Sequence, residues 1–323
     1  MTSIIRGLLA ATTLAFAAHA AAQANFPSRP VTLTVGFAPG GGTDTAGRIV
    51  AKKLSENIGQ TVVVENKAGA GGNIAAQHAA NAAPDGYLIH LSSVGPLTVA
   101  PAMSKSLPYD PKKDLAPLTL GMRFTNVFVV HASVPAKTLA EFVALAKKEP
   151  GKLNYASSGI GGAAHLAGEL FKQMAGISMV HVPYKGGGPA MAEMLGGRVD
   201  MYPAVPSTSK PHIDAGKIVA LGTTGARRTA IMPNVPTIAE QGYPGFEATN
   251  WYAFVTSSKV PKEIQQYWTR ELVKALKDPE VIAALDKQGL EPEPGTPEGL
   301  AKLIDIETEK WGKVVREAKI TAE

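Results

Sequence analysis

Cysteine is absent from all 323 residues, so no disulfide framework and no thiolate metal site can form, and stability must come from packed apolar cores. Aromatic residues make up only 6% of the chain. Past the N-terminus no apolar run is long enough to cross a bilayer. Charge of one sign is not concentrated either: 32 Lys and Arg against 27 Asp and Glu give a net +5, scattered along the chain, which argues against a nucleic-acid surface. The sequence has no H-E-x-x-H helix, Walker loop or G-x-S-x-G elbow, and no His/Asp/Glu spacing that points to a metal. A tandem repeat of fixed short period is also missing.

What is present begins with a leader. Met1 to about Ala24 carries one basic residue, Arg6, then a Leu/Ala/Phe-rich run and small-residue sites at Ala18-His-Ala20, Ala20-Ala-Ala22 and Ala22-Gln-Ala24. This predicts a cleaved signal peptide over residues 1–24, an exported mature protein and, with no leader cysteine, no lipid anchor. Without Arg6 the charge falls from +5 to +4, and a mildly basic protein suits an anionic small ligand. The roughly three hundred mature residues exceed what one hydrophobic core usually serves, so two domains are expected.

Strand and helix patterns then alternate. Strands are expected at 31–37, 61–65 and 87–93, with helices from Thr43 and Asn73, an order that builds a parallel sheet with helices on both faces. Residues 101–117 read as loop. A second series begins at Asn126, with strands at 127–130, 153–157, 179–184, 199–202 and 218–223. Its first helix is announced by Thr138-Leu-Ala-Glu141, the spacing of a capping box. An extended return near 247–255 leads into helices at 261–276, 279–287 and 296–319, with Pro261 and Pro297 where first-turn prolines are tolerated. Two α/β lobes joined by extended passages near 123–130 and 247–255 imply a hinged pair with a cleft, lobe 1 being 25–123 with 247–323 and lobe 2 being 124–246.

Two glycine turns carry the chemistry. Phe37-Ala-Pro-Gly-Gly-Gly-Thr-Asp44 ends the first strand and opens a helix; free N–H groups and the positive end of the helix dipole at such a junction attract a carboxylate or phosphate. Its counterpart in the second lobe is Asn154-Tyr-Ala-Ser-Ser-Gly-Ile-Gly-Gly-Ala-Ala-His165. Facing each other across a cleft, the two would grip one anion from both sides.

The first turn with Arg48 and Leu54, Glu65-Asn-Lys-Ala-Gly-Ala-Gly-Gly-Asn73, Pro84-Asp-Gly-Tyr87, His181-Val-Pro-Tyr-Lys-Gly-Gly-Gly-Pro189 and Pro233-Asn-Val-Pro-Thr237 together resemble the Bug (TctC-type) substrate-binding proteins of tripartite tricarboxylate transport, from about Phe26 onward. The resemblance implies a periplasmic, monomeric type II Venus-flytrap receptor of α/β fold that takes a small organic carboxylate, has no cofactor and is not an enzyme. Its implied partner is an inner-membrane tripartite tricarboxylate-type permease or a sensor kinase. Carried over by position, the ligand residues are Phe37, Ala38, Gly40, Gly41 and Asp44, then Ser157, Ser158, Gly159 and His165, with Ser92 and Ser93 at a further polar position facing the cleft. Ordered water mediates part of such capture. Many members have an acid where this chain has Ala204. That departure favours a purely anionic or aromatic carboxylate over an amino acid.

Other readings stand beside these. Asp44 serves as a helix cap, with ligand contact as an addition, since a bare carboxylate would repel an anion. His165 can be a packed residue, Lys185 can attract a carboxylate or be an exposed loop cation, and Trp251 and Tyr252 serve either core or hinge packing or ligand stacking. Arg227-Arg228 and the Lys52-Lys53, Lys112-Lys113 and Lys147-Lys148 pairs read as solvated. The competing enzyme is an exported NAD(P)-dependent oxidoreductase using Gly159–Ala164, which fits G-x-G-x-x-A but lacks an acid at the end of the next strand. A Ser158–His165 nucleophile and base pair is the other conceivable catalytic arrangement.

Overall fold

Runs of β-branched residues bounded by glycine and proline, interleaved with helices led by glycine, proline or a capping side chain, assemble two sheets. A computed structural model describes residues 26–104 and 106–321; the predicted leader over 1–24 lies outside them. The first series comprises β1 (Val31–Val35), α1 (Gly42–Ile58), β2 (Val62–Asn66), α2 (Asn73–Ala80), β3 (Leu88–Ser93), α3 (Ala100–Met103) and β4 (Leu115–Thr125). The second comprises β5 (Val127–His131), α4 (Leu139–Lys148), β6 (Asn154–Ser157), α5 (Ala163–Ala175), β7 (Val180–Pro183), α6 (Gly187–Leu195), β8 (Met201–Ala204), α7 (Pro206–Asp214) and β9 (Ile218–Thr223). The chain then returns through β10 (Thr249–Ser257) to α8 (Lys262–Leu276), α9 (Pro279–Asp286), β11 (Glu291–Pro292) and α10 (Pro297–Glu317).

The first sheet has the order β11-β4-β10-β3-β1-β2 and the second β7-β6-β8-β5-β9, giving the α/β two-lobed architecture. Within the first sheet β1 runs parallel to β2 and β3, whereas β10 is antiparallel to β3 and to β4. The two strands that leave and re-enter the sheet, β4 and β10, lie side by side, with Thr125 opposite Thr249. Beyond them Thr224, fully buried, ties the crossings together. Its Oγ1 accepts from Asn126 N–H at 2.9 Å and donates to the Ala248 carbonyl at 3.0 Å, and its backbone bonds Asn126 and Ala248.

Each sheet has an apolar cluster, around Leu33, Val50, Leu54, Phe254, Trp268 and Leu272 in the first and Val129, Met191 and Met194 in the second. A third cluster reaches across both, joining Phe128, Phe142 and Phe171 to Trp251, Trp311 and Val315. The C-terminal helix α10 thus touches both halves, and Gln173 Nε2 donates to Glu317 Oε2 at 3.3 Å.

Four elements depart from the sequence expectation. A helical run over 95–103 extends three residues into the stretch read as loop, and β4 begins at Leu115, inside the expected loop. Pro117 is tolerated in that strand because the ladder to β10 shifts register between Phe254 and Val255, where Pro117 pairs. Strand β8 runs through Pro203 to Ala204, where β6 no longer pairs with it. Helix α7 forms despite Pro206 and Pro211, the former in the first turn. Lys53 is not simply solvated: it bridges Glu56, Asp278 and Glu280 where α1 meets α9.

Candidate functional site

At the first turn Gly41 is the N-cap of α1 and supplies no side chain to satisfy the helix start. The first intrahelical bond runs from Thr45 N to Gly41 O, so the N–H groups of Gly42, Thr43 and Asp44 have no partner inside the helix. Other donors of the turn are occupied. Gly40 N–H donates to Asp44 Oδ2 at 3.1 Å, and Ala38 N–H donates to the carbonyl of Lys185 in the second lobe at 3.0 Å. Asp44 is almost fully buried and works as a brace: Arg48 Nε and Asn66 Nδ2 also donate to it, and Asn66 Nδ2 reaches the Phe37 carbonyl. Burial pulls its pKa upward, but the hydrogen bonds from Arg48, Asn66 and Gly40 outweigh this and hold it below the ordinary aspartate value.

The second turn repeats the plan with different chemistry. Gly162 is the N-cap of α5, again without a side-chain cap, and Leu166 N donates to Gly162 O, leaving Ala163, Ala164 and His165 N–H without helical partners. Gly159 N–H donates to Ser157 Oγ, Gly161 N–H to His165 Nδ1 and Gly162 N–H to the Gly159 carbonyl. The glycines therefore shape the turn, and the free donors belong to the helix start. His165 stacks on His181 with centroids 3.8 Å apart, and His181 Nε2 meets Ser157 Oγ at 2.6 Å. Burial, aided by Lys172, pushes His165 down to about 4; burial and the neighbouring His165 push His181 down to about 3. Both rings are neutral near pH 7, so Gly161 N–H finds a lone pair on Nδ1.

These two helix starts border one narrow cavity of about 30 Å³ between the sheets, where Gly42 and Thr43 of α1 share its lining with Ala163 and Ala164 of α5. Gly187, the first residue of α6, and Val205, the N-cap of α7, reach the same space, and neither helix start carries a side-chain cap. Four positive dipole ends thus converge on a cavity that, among the described residues, is lined by no charged side chain. Polar neutral groups complete it: Ser93, Ser158, Asn126, Asn250, Tyr202 and Tyr252. Asn250 Oδ1 accepts from Trp251 N–H, so its Nδ2 donors remain. Burial raises the pKa of both tyrosines, keeping them phenols that can donate.

Among the predicted site residues Phe37, Gly41, Ser93 and Ser158 line this cavity. Gly159 lines a neighbouring cavity of about 200 Å³ that also borders Phe37 and Ser158. Ala38, Gly40, Asp44, Ser157 and His165 lie behind the lining as braces of the turns. Ser92 is buried with no partner for its Oγ, and Ala204 is fully buried while Tyr202, Pro203 and Val205 around it reach the cavity. Sequence reasoning placed the grip on the glycine turns and missed the helix-start residues Gly42, Thr43, Ala163 and Ala164, as well as Asn126, Asn250, Tyr202 and the α7 start; Asn126 and Asn250 sit at the ends of crossing strands, the only signal that could have raised those two. Gly159–Ala164 does not open a dinucleotide site by its neighbours, since β7 ends at Pro183 with Tyr184 and Lys185 after it. His165 Nδ1 is taken by Gly161, so the ring does not act as a base toward Ser158 through that atom.

Against known proteins, the TctC family profile, described as "Tripartite tricarboxylate transporter family receptor", matches residues 46–320. Protein BugT of Bordetella pertussis is 37% identical over 297 residues, 90% of each chain. A solved R. palustris protein with adipate superposes with a TM-score of 0.88 at 34% identity, covering 92% of this chain and 99% of that one. MatC from Rhodopseudomonas palustris with bound malate gives 0.85 at 31% identity, covering 90% and 100%.

Proposed function

Because this chain belongs to the TctC family, the receptors of tripartite tricarboxylate transporters, we propose that it captures one small organic carboxylate between its two sheets and delivers it in the closed form to an inner-membrane permease of that type or to a sensor kinase. The observation that carries the reading is that two uncapped helix starts, one from each side of the crossing strands, end on one cavity with no charged side chain in its described lining. Donors fixed at a dipole end bind an anion without rearranging.

Di- and tricarboxylates or aromatic carboxylates are favoured over amino acids, because an ammonium group would find no carboxylate to pair with in the cavity. The relatives solved with adipate and malate support that preference. The ligand residues are Gly42, Thr43, Ala163 and Ala164 through their backbone, with Ser93, Ser158, Asn126 and Asn250 as side-chain partners. The moving units are 25–123 with 247–323 and 124–246, pivoting where Thr224 ties the crossings. A ligand favours closure only through contacts it makes better in the closed state, and bridging two helix starts is such a contact. The family's role and the predicted leader support a periplasmic, monomeric receptor rather than an enzyme.

A thermal-shift screen of purified mature protein against carboxylates, amino acids and nucleotides tests this. One carboxylate should raise Tm, since a ligand at a hundred times its Kd adds about 2.7 kcal/mol. Stabilisation by a dinucleotide alone, or by an amino acid but not its deaminated analogue, would overturn the reading.

A further inference from the structure

The cavity at the helix starts, about 30 Å³, has room for only a carboxylate-sized group or a couple of waters. Whatever carries that carboxylate must extend elsewhere. On the other side of Phe37 and Ser158, which line both spaces, lies the larger cavity of about 200 Å³. Its character is different. Met103, Ile160 and Tyr184 give it apolar walls, and Lys185 is, among the described residues, the one charged side chain lining either space. Lys185 is exposed, and its backbone is pinned, because its carbonyl accepts from Ala38 N–H across the cleft. That bond joins residues of the two lobes and holds the Lys185 backbone beside the larger cavity, which this residue lines. No acidic side chain among the described residues lines this cavity to compete for it.

We propose that the larger cavity is a distal subsite and that Lys185 is a specificity-determining residue, pairing with a second anionic group at the far end of the ligand. The ligand class that fits is a diacid with an apolar spacer, its near carboxylate on the helix starts, its spacer between Phe37 and Met103, and its far acid at Lys185. This rests on the carboxylate reading above and specifies what lies beyond the first carboxylate. Because Lys185 reaches the ligand from an exposed loop, its pairing is screened by salt, unlike the backbone grip.

The test is calorimetry with adipate and hexanoate, equal in carbon number and different only at the distal end. Wild type should bind adipate about tenfold more tightly, with the ratio shrinking as ionic strength rises. In Lys185→Met, which keeps the backbone carbonyl for Ala38, the ratio should collapse toward one, and Lys185→Arg should restore most of it. Met103→Trp, which fills the subsite, should weaken adipate more than malonate. A ratio unchanged in Lys185→Met, or equal losses for adipate and malonate in Met103→Trp, overturns the subsite while leaving the carboxylate reading intact. Failure of every carboxylate to bind wild type removes both.

Discussion

The two helix-opening turns present the same backbone feature and are braced in opposite ways. In the first, an ionised Asp44 gathers Gly40 N–H, Arg48 and Asn66. In the second, a neutral stacked pair, His165 on His181, receives Gly161 N–H and holds Ser157. A helix start needs only unoccupied donors to attract an anion, so the chemistry behind it is free to differ. What the braces decide is how each turn responds to substitution and to pH. A negative charge is tolerated behind the first turn because Arg48 offsets it, whereas the second achieves the same rigidity with no net charge near the ligand.

The largest effect should come from Gly41→Val. Gly41 has φ −89° and ψ 170°, which any residue adopts, but an added Cβ would stand 3.3 Å from Gly187 N across the cleft. Ligand affinity by calorimetry should fall at least about a hundredfold, with a smaller loss of stability than in the second turn, since the backbone at Gly41 is unstrained and the clash lies across the cleft. A change in the second turn, Gly159→Ala, differs: φ is +143° and a Cβ would lie 2.9 Å from Gly71 Cα. It should lose binding and also about 1–3 kcal/mol of stability, read by urea unfolding. Equal effects on Tm from both substitutions would break the contrast between the turns.

Next in size are the braces themselves. Asp44→Ala removes the buried carboxylate to which Gly40 N–H, Arg48 and Asn66 all donate and should cost about 1–3 kcal/mol. His165→Ala should cost a similar amount but act on pH as well. Its pKa is about 4 when folded against 6.5 for the free side chain, and that of His181 is about 3. The unfolded chain therefore binds more protons between pH 6.5 and about 4, so stability is full above 6.5 and declines as pH falls through that window. A tenfold change in a group's acidity on folding corresponds to about 1.4 kcal/mol. In His165→Ala the decline should be shallower, though not flat, because buried His90, also near 4, contributes from the first sheet. Asp44, with its pKa below the usual value, loses its contribution only at more acid pH. Unfolding curves at pH 7, 5.5 and 4.5 separate the two braces, and an identical slope in His165→Ala and wild type would show that the second turn has no such dependence.

Much of this is legible in the amino-acid sequence. The glycine turns at strand-to-helix junctions, the capping box formed by Thr138 and Glu141 and the three C-terminal helices follow from local pattern and short-range chemistry. Strand β4 is not legible, because Pro117 and Gly121 interrupt its alternation and only the bulged ladder with β10 accommodates them. Helix α7 hides for a similar reason: Pro-Ser-Thr-Ser-Lys-Pro has poor helix propensity and forms through tertiary packing. Within the site, residue types do not reveal which donors remain free. Ala38 and Gly40 look like ligands in a glycine turn, yet their N–H groups are consumed by Lys185 and Asp44, facts set by partners far away in sequence or by a side chain curling back.

The smallest effect sharpens the comparison most. Ser157 and Ser158 are adjacent, but their hydroxyls face different tasks. Ser158 lines both cavities, while Ser157 Oγ donates to the Gly159 carbonyl, accepts from Gly159 N–H and meets His181. Ser158→Ala should weaken carboxylate binding about three- to tenfold with Tm unchanged, since one hydroxyl partner is lost and the backbone donors stay. Ser157→Ala should instead lower stability by about 1 kcal/mol and shift affinity less. If Ser157→Ala proves the more damaging to affinity, the contact belongs to the shape of the turn that Ser157 and the histidines maintain, and the neutral brace then governs ligand capture as directly as the donors it positions.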